Sequence, residues 1–242
     1  MSFSKVFSHS VEAYARNAKL LSFFSLPFAI LFPLSLALPN FVSLGGIFLR
    51  YGSIKQDLSI PETVLIIVAF LISLVLFSLA LVAINLIIKS QRTLVRLSHF
   101  EKQKVEVQTF RLFTVFLLVF VLSLAANVFL YDYGLNVSYG LLFSLILSIA
   151  AIFTPQAVVI DDLGIMHSFK MSVSMVFRRL PYFLYFLAIA SFLILLNGFV
   201  FLQLDAVLPF SRFIAVLVNA LFILPFLEVL KVQIYLSKYT IL

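Results

Sequence analysis

Six long apolar stretches constrain this chain more than any other feature of its sequence. The longest, Val64–Ile88, runs for 25 residues without a charged side chain. A helix of about 20 apolar residues crosses the hydrocarbon core of a bilayer. The six stretches are Leu20–Leu38, Val64–Ile88, Leu112–Tyr131, Tyr139–Ile160, Tyr182–Gln203 and Phe213–Leu230. The sequence therefore predicts an all-α, polytopic transmembrane helical bundle with six spans, in a single membrane domain that covers residues 1–242.

The composition argues against most other classes of protein. Of the 242 residues, 63% are hydrophobic and 11% are charged, whereas soluble domains average about 25% charged residues. So few charges cannot cover the surface of a soluble domain of this size. The chain has no cysteine, which excludes disulfides and a catalytic thiol. Residues 1–19 lack the apolar core and cleavage site of a signal peptide, so we expect them to be retained.

The basic residues alternate between the connecting segments in a way that predicts orientation. Cytoplasmic loops are enriched in Lys and Arg. The N-terminus, the second and fourth loops and the C-terminus together carry 14 of the 17 basic residues. We therefore predict a multi-pass protein of the cell membrane with both termini in the cytoplasm. This bias and attraction to anionic headgroups account for the net charge of +7, so we expect no nucleic-acid partner.

Two segments that precede spans have the periodicity of amphipathic helices. Within residues 1–19, and continuing to Leu21, the predicted apolar stripe comprises Phe3, Phe7, Val11, Tyr14, Ala18 and Leu21. Within residues 161–180 it comprises Ile165, Phe169, Val173, Val176, Phe177 and Leu180. We predict that both helices lie at the cytoplasmic surface of the membrane. There, six basic side chains would contact anionic lipid, a protein partner or a second copy of the chain: Lys5, Arg16, Lys19, Lys170, Arg178 and Arg179.

The two amphipathic segments also align with each other at an offset of 162 residues. The alignment pairs Phe7 with Phe169, Ser10 with Ser172, Val11 with Val173 and Arg16 with Arg178. One interpretation is an internal repeat of three helical hairpins in parallel orientation. The other is that two unrelated interfacial helices share the same general pattern.

The segment from Pro155 to Phe183 carries a resemblance to a known group of proteins. It reads Pro155-Gln-Ala-Val-Val-Ile-Asp-Asp-Leu-Gly164, continues through Ser168 and Ser172, and reaches Arg178-Arg179 before an aromatic-rich span. This pattern resembles uncharacterised prokaryotic six-span membrane families related to the membrane domain of glycerophosphodiester phosphodiesterases. The sequence contains no soluble phosphodiesterase domain, so the resemblance implies a fold and no hydrolase activity. The lack of Cys and Trp favours an archaeal or thermophilic source.

Polar side chains within the predicted spans are candidate functional residues. They are Asn85, Asn127, Gln156, Asn197, Asn219 and Glu228. Glu228 could form a proton- or cation-coupled site beside Pro225, or an interfacial ion pair with Lys231, which we favour. The asparagines could join helices by hydrogen bonds, while Pro155 frees a carbonyl close to Gln156. We take Gln156, Asn127, Asn197, Asn219 and Glu228 as the candidate polar site of the membrane interior.

The sequence contains no catalytic motif that we recognise. His9, His99 and His167 lie far apart and not at metal-ligand spacing. There is no glycine-rich phosphate loop and no nucleophile elbow. Asp161 and Asp162 are adjacent and would point about 100° apart on a helix, so they fit a helix cap better than a catalytic pair. We expect no enzymatic activity, no cofactor and no metal.

The sequence favours two functions, and a membrane enzyme that acts on lipid is a third alternative. The first is a membrane scaffold or a subunit of a membrane complex, whose basic cytoplasmic helices meet lipid or a partner. The alternative is a small transporter or permease-type subunit with a polar site between proline-kinked spans. A transporter predicts that Asn127, Asn197, Asn219 or Gln156 line a polar cavity near the middle of the bilayer.

Overall fold

Long apolar segments satisfy their backbone hydrogen bonds locally, and helices dominate the structure as a result. The computed structural model describes residues 3–29, 41–43, 47–49, 60–93, 99–134, 136–205, 207–208 and 210–239. The α-helices are α1 Phe3–Phe24, α2 Ile60–Thr93, α3 His99–Asp132, α4 Val137–Ala150, α5 Thr154–Val159, α6 Ile165–Arg178, α7 Leu180–Leu204, α8 Ser211–Val218 and α9 Leu224–Leu236. A π-helical turn, Asn219–Ile223, joins α8 to α9, and a 3-10 turn, Ser237–Tyr239, follows α9. Strands β1 (Phe41–Ser43) and β2 (Ile47–Leu49) form a short antiparallel hairpin.

Five helical segments among the described residues are long and apolar enough to cross a membrane. They are Ile67–Ser90, Lys104–Leu130, Ser138–Val159, Leu180–Leu204 and Ser211–Tyr239. They overlap the last five of the six predicted spans. The predicted first span, Leu20–Leu38, extends past residue 29 and so lies partly outside the described residues.

α2 and α9 form the centre of the described structure. The second half of α2 is buried on nearly all sides, and α9 is buried along most of its length. One apolar cluster joins α9 to α1 and α2, and a second joins α9 to α5, α6 and α7. α3 and α7, by contrast, expose large apolar side chains such as Leu122 and Phe199. This distribution is expected where lipid surrounds the protein, because exposed apolar side chains then carry no penalty.

α1 buries a face that lies beside its predicted apolar stripe and shares Leu21 with it. The buried residues are Val6, Ser10, Asn17 and Leu21, whereas Phe7 of the predicted apolar stripe is 38% exposed. The Ser10 hydroxyl donates to the carbonyl of Val6 at 2.7 Å, and the Asn17 amide donates to that of Ala13 at 2.7 Å. Because small or internally bonded polar side chains let helices approach closely in a membrane, Ser10 and Asn17 pack inward beside Val6 and Leu21. α1 also passes without a break from the predicted interfacial segment into the predicted first span.

α6 repeats this arrangement. Its buried residues are Ser168, Ser172, Met175 and Val176, and Phe177 of its predicted apolar stripe is 74% exposed. Ser10 and Ser172, which the sequence alignment pairs, are both fully buried. Ser10, Ser168 and Ser172 therefore face the protein interior, while Phe7 and Phe177 are exposed.

Two of the predicted continuous spans are interrupted. The predicted span Tyr139–Ile160 consists of two helices, α4 and α5, which are separated at residues 151–153 just before Pro155. Proline lacks an N–H and cannot continue the hydrogen-bond ladder of the preceding turn. The predicted span Phe213–Leu230 contains the π-helical turn before Pro225, and helical structure continues to Tyr239. Lys231 and Lys238, which were expected in a cytoplasmic tail, therefore lie on the last spanning segment.

Candidate functional site

A buried carboxylate lies where α2, α5 and α9 meet. Glu228 is 3% exposed, and its Oε1 accepts hydrogen bonds from Asn85 Nδ2 at 2.9 Å and from Gln156 Nε2 at 2.6 Å. Its Oε2 lies 2.5 Å from Nζ of Lys231, one turn along α9. We call Glu228, Lys231, Asn85 and Gln156 the glutamate cluster. Lys231 thus balances the buried charge, and the amides of Asn85 and Gln156 stabilise it by hydrogen bonds from two further helices.

The short helix α5 positions this cluster. All six of its residues are buried, and the break before it leaves backbone groups without partners in a regular helix. The backbone N–H of Phe153 donates to Oγ of Ser172 at 2.9 Å. Lys231 Nζ reaches the Ile152 carbonyl at 3.4 Å, and Lys89 Nζ donates to the carbonyl of Val159 at 2.9 Å. Two lysines and a serine therefore bind the backbone at the two ends of α5.

The predicted pairing of Glu228 with Lys231 is confirmed, and the pair is buried within the protein. Its predicted position at the membrane interface stays a prediction. The side chain of Glu228 is 4% exposed and that of Lys231 is 13% exposed. Asn85 completes the cluster although the predicted site omits it. Its position within an uncharged 25-residue stretch could have indicated a role, because polar residues inside a membrane span usually have a functional or structural partner. The amide oxygens of Asn85 and Gln156 are buried and accept no hydrogen bond from the described residues.

The other three residues of the predicted polar site lie elsewhere. Asn127 Nδ2 donates to Ser144 Oγ at 3.2 Å and so joins α3 to α4. Asn197 Nδ2 donates to the carbonyl of Ala215 at 2.9 Å and joins α7 to α8. Asn219 lies in the π-helical turn, and its Oδ1 is buried without a donor among the described residues. Of the five candidate residues, the structure thus brings Gln156 and Glu228 into direct contact, while Asn127 and Asn197 join helices.

Asp161 and Asp162 hold two different parts of the chain beside the loop between α5 and α6. Asp161 accepts hydrogen bonds from Tyr235 Oη at 2.6 Å and from Lys238 Nζ at 2.5 Å, and a further one from the Tyr239 hydroxyl. All three donors belong to the end of the last span. Asp161 thus fastens this end of α9 and the 3-10 turn to the loop.

Asp162 points to α3 instead. It accepts hydrogen bonds from Lys104 at 2.6 Å and Arg111 at 3.0 Å. Its backbone is left-handed, with φ of 54°, a conformation that aspartate tolerates better than most residues. The hydrogen bond from Lys104 and the charges of Lys104 and Arg111 hold the pKa of the Asp162 carboxyl below its usual range. These ion pairs therefore stabilise the fold at neutral pH and are lost only when acid protonates Asp162 at that lowered pKa.

Neither aspartate caps α6. The residue at the N-cap position is Gly164, and no side chain donates or accepts a capping hydrogen bond there. The predicted cap is therefore wrong, because the two carboxylates are drawn to cations and hydroxyls on α3 and α9.

The basic side chains predicted to meet lipid or a partner are mostly exposed. Lys5, Arg16, Lys19, Lys170 and Arg178 are exposed, and Arg179 is half-buried. Arg16 forms an ion pair with Glu12. Within the described part of the chain, no carboxylate lies within 4 Å of Lys5, Lys19, Lys170 or Arg178.

The start of α1 adjoins the start of α7. The ring of Phe3 stacks on Tyr185 with centroids 4.5 Å apart and lies 6.2 Å from the ring of Tyr182. The guanidinium of Arg179 lies 5.8 Å from the centroid of the same Tyr182 ring. The basic ends of α1 and α6 are therefore neighbours, although about 170 residues separate them in sequence.

Among the described residues, no group of three His, Asp or Glu side chains could hold a metal ion. Comparisons with protein-family models, with curated proteins and with solved structures found no match to this chain. The resemblance of the Pro155–Phe183 segment to six-span prokaryotic membrane families therefore stays a prediction.

Proposed function

We propose that this protein is a non-enzymatic, multi-pass membrane protein that serves as a scaffold or as a subunit of a membrane complex. In this proposal both termini are cytoplasmic, and α1 and α6 bind anionic headgroups at the cytoplasmic surface. The observation that carries the proposal is a set of four exposed basic side chains, Lys5, Lys19, Lys170 and Arg178, with no carboxylate of the described residues within 4 Å.

The distribution of the acidic residues supports this proposal. Asp161, Asp162, Asp205 and Glu228 each already contact a cation within the protein. Among the described residues, these four basic side chains lie on α1 and α6, and the start of α1 is close to the end of α6. A lysine or arginine near an anionic membrane surface contributes about 1 kcal/mol of attraction. A partner with an acidic surface would meet the same charges.

The proposal is tested by thermal unfolding of the purified protein in detergent micelles that contain either phosphatidylglycerol or phosphatidylcholine. We expect phosphatidylglycerol to raise the midpoint more, and salt to reduce the difference because it screens exposed charges. The variant K5Q/K19Q/K170Q/R178Q should lose the preference. The charge-retaining variant K5R/K19R/K170R/R178K should keep it. Equal stabilisation of the unaltered protein by both lipids would contradict the proposal.

The alternative function, a small transporter, is favoured by one observation. The glutamate cluster lies between the broken α4–α5 segment and the π-helical turn, and transporters build their sites at such interruptions. Against it, Asn127 and Asn197 bond within the protein. A proton-flux measurement in proteoliposomes with a membrane potential tests this alternative. Flux that Glu228→Gln abolishes would favour transport, and flux no greater than in empty liposomes would argue against proton movement.

A further inference from the structure

The two amides of the glutamate cluster each have a buried oxygen that is not used in the hydrogen bonds to Glu228. The amide nitrogens of Asn85 and Gln156 both donate to Oε1 of Glu228, at 2.9 and 2.6 Å, and both residues are fully buried. Their amide oxygens have no hydrogen-bond partner among the described residues. Because buried polar atoms usually have a partner, two such atoms beside one buried carboxylate indicate a site for a further ligand.

A rotation of either amide would turn its oxygen towards Glu228. The oxygen and the nitrogen of a side-chain amide are bonded to the same carbon and have nearly the same shape, so a rotation of about 180° exchanges them. After that rotation, Glu228, Asn85 and Gln156 would present oxygen atoms to one place between α2, α5 and α9. Carboxylate and carbonyl oxygens are the ligands that hard cations take.

The position beside the Glu228 carboxylate already holds a positive charge. Nζ of Lys231 lies 2.5 Å from Oε2 of Glu228 and 3.4 Å from the carbonyl oxygen of Ile152. Ile152 belongs to the break between α4 and α5. Transporters bind Na⁺ through backbone carbonyls at such breaks. The ammonium of Lys231 therefore contacts the same two kinds of oxygen that a bound Na⁺ would contact.

The charge of the cluster allows one bound cation at a time. Among the described residues, Glu228 is the carboxylate that lies within 4 Å of Lys231, and no group of three His, Asp or Glu side chains is present for a metal ion of higher charge. A buried ammonium that loses its carboxylate is strongly disfavoured. Binding of a monovalent cation at Glu228 and a charged Lys231 therefore exclude each other.

The other titratable groups on the helices around Glu228 contact other partners. On α2, Lys89 donates to a backbone carbonyl at the far end of α5, and α5 itself contains no titratable residue. On α9, Tyr235 and Lys238 donate to Asp161. The ring of Tyr14 on α1 packs on an aromatic ring of α9, and the tyrosines of α7 pack on the start of α1. The described contacts thus leave Lys231 as the group that exchanges charge with Glu228.

We propose that the glutamate cluster is a site at which a monovalent alkali cation, such as Na⁺, competes with the proton of Lys231. When the cation binds to Glu228, the Lys231 ammonium loses its counter-ion, releases one proton to water and becomes a neutral amine beside the Ile152 carbonyl. One positive charge enters the cluster and one leaves, so its net charge does not change. The inference rests on the transporter alternative and names the two ions that its site would exchange.

Release of the proton is measured on the purified protein in micelles. NaCl is added to a weakly buffered solution that contains a pH indicator dye, and choline chloride at the same concentration is the control for ionic strength. We expect Na⁺ to release about one proton per chain, since a cation displaces the proton of a group at its site. Glu228→Gln should abolish the release. Lys231→Arg should abolish it too, because arginine keeps its proton.

The variant Lys231→Met separates cation binding from proton release. It removes the competing ammonium and leaves the carboxylate, so Na⁺ should raise its unfolding midpoint more than that of the unaltered protein, without releasing a proton. E228Q/K231M lacks the carboxylate and should show no Na⁺-specific shift. The matched control E12Q/R16M alters an exposed ion pair and should release as many protons as the unaltered protein. If Lys231→Met does not fold, the contrast between Lys231→Arg and the unaltered protein decides.

Proton release by Na⁺ that does not exceed the choline control overturns this inference, and so does a release that Lys231→Arg retains. Proton release in micelles without Na⁺-driven proton flux in proteoliposomes supports the exchange site and contradicts only the transporter alternative. Flux without release in micelles would do the opposite. If neither is observed, both are wrong.

Discussion

The buried carboxylate of Glu228 is surrounded by hydrogen-bond donors. Removing a carboxylate and an ammonium from water costs several kcal/mol per ion, and close pairing with additional hydrogen bonds offsets that cost. Here the offset comes from Lys231 and from the amides of Asn85 and Gln156. Replacing Lys231 alone should therefore lower the free energy of unfolding far more than replacing Glu228 and Lys231 together, because the single change leaves a buried charge without its partner.

We therefore predict that Lys231→Met lowers the free energy of unfolding by about 3–5 kcal/mol, because it leaves Glu228 buried without its cation. The double variant E228Q/K231M should recover most of that loss. The exposed pair of Glu12 and Arg16 is the matched control, and E12Q/R16M should change stability by about 1 kcal/mol or less. Chemical unfolding in micelles gives all the values. Additive effects of E228Q and K231M would show that the two charges are not coupled.

At the scale of helices, α1 and α6 bury small polar residues together with apolar ones. Ser10 on α1 and Ser172 on α6 are buried, while Phe7 and Phe177 are exposed. In water the reverse arrangement would be favoured, because apolar burial is then the main driving force. The same preference for small residues recurs where α3 packs on α4, at Gly140.

Gly140 and Gly198 provide a matched pair of positions that tests whether a small residue is needed for close helix packing. A Cβ at Gly140 would lie 2.1 Å from Oδ1 of Asn127, whereas a Cβ at Gly198 would meet nothing within 4 Å. Gly140→Ala should displace Asn127, break its bond to Ser144 and destabilise the protein by about 1–3 kcal/mol. Gly198→Ala should be neutral or stabilise by up to about 1 kcal/mol, because alanine favours helix. The unfolding midpoints of the two variants test this prediction. Equal shifts of the midpoint in Gly140→Ala and Gly198→Ala would contradict the packing of α3 on α4.

At the scale of the whole molecule, orientation depends on where the basic residues lie between the spans. The segments predicted to be cytoplasmic carry 14 of the 17. The loop between α3 and α4 carries none, and it turns tightly at Gly134, whose φ is +64°. The positive-inside rule therefore predicts that α1 and this loop lie on opposite sides of the membrane.

The absence of cysteine makes this orientation measurable. Ser8 and Asn136 are both exposed, on α1 and in the loop between α3 and α4. In intact cells a membrane-impermeant maleimide should label Asn136→Cys and should label Ser8→Cys only after the cells are opened. The reverse pattern would invert the topology, and labelling of both residues in intact cells would place them on one side.

The sequence by itself determined the helical character, the approximate bounds of five spanning segments and the pairing of Glu228 with Lys231. Each of these is a local property: the length of an apolar run, or two residues one turn apart on the same helix. Pro155 and Pro225 also marked the interruptions of two spans, since proline acts on the turn that precedes it.

Only the tertiary structure decided which faces of α1 and α6 are buried and which polar residues meet. Periodicity locates an apolar stripe but does not say whether lipid or protein covers it, because both are apolar. Asn85 and Glu228 are 143 residues apart in sequence, and Asp161 meets Lys238 across 77 residues. Contacts over such distances depend on how the helices are arranged around α9, and no local pattern in the chain encodes that arrangement.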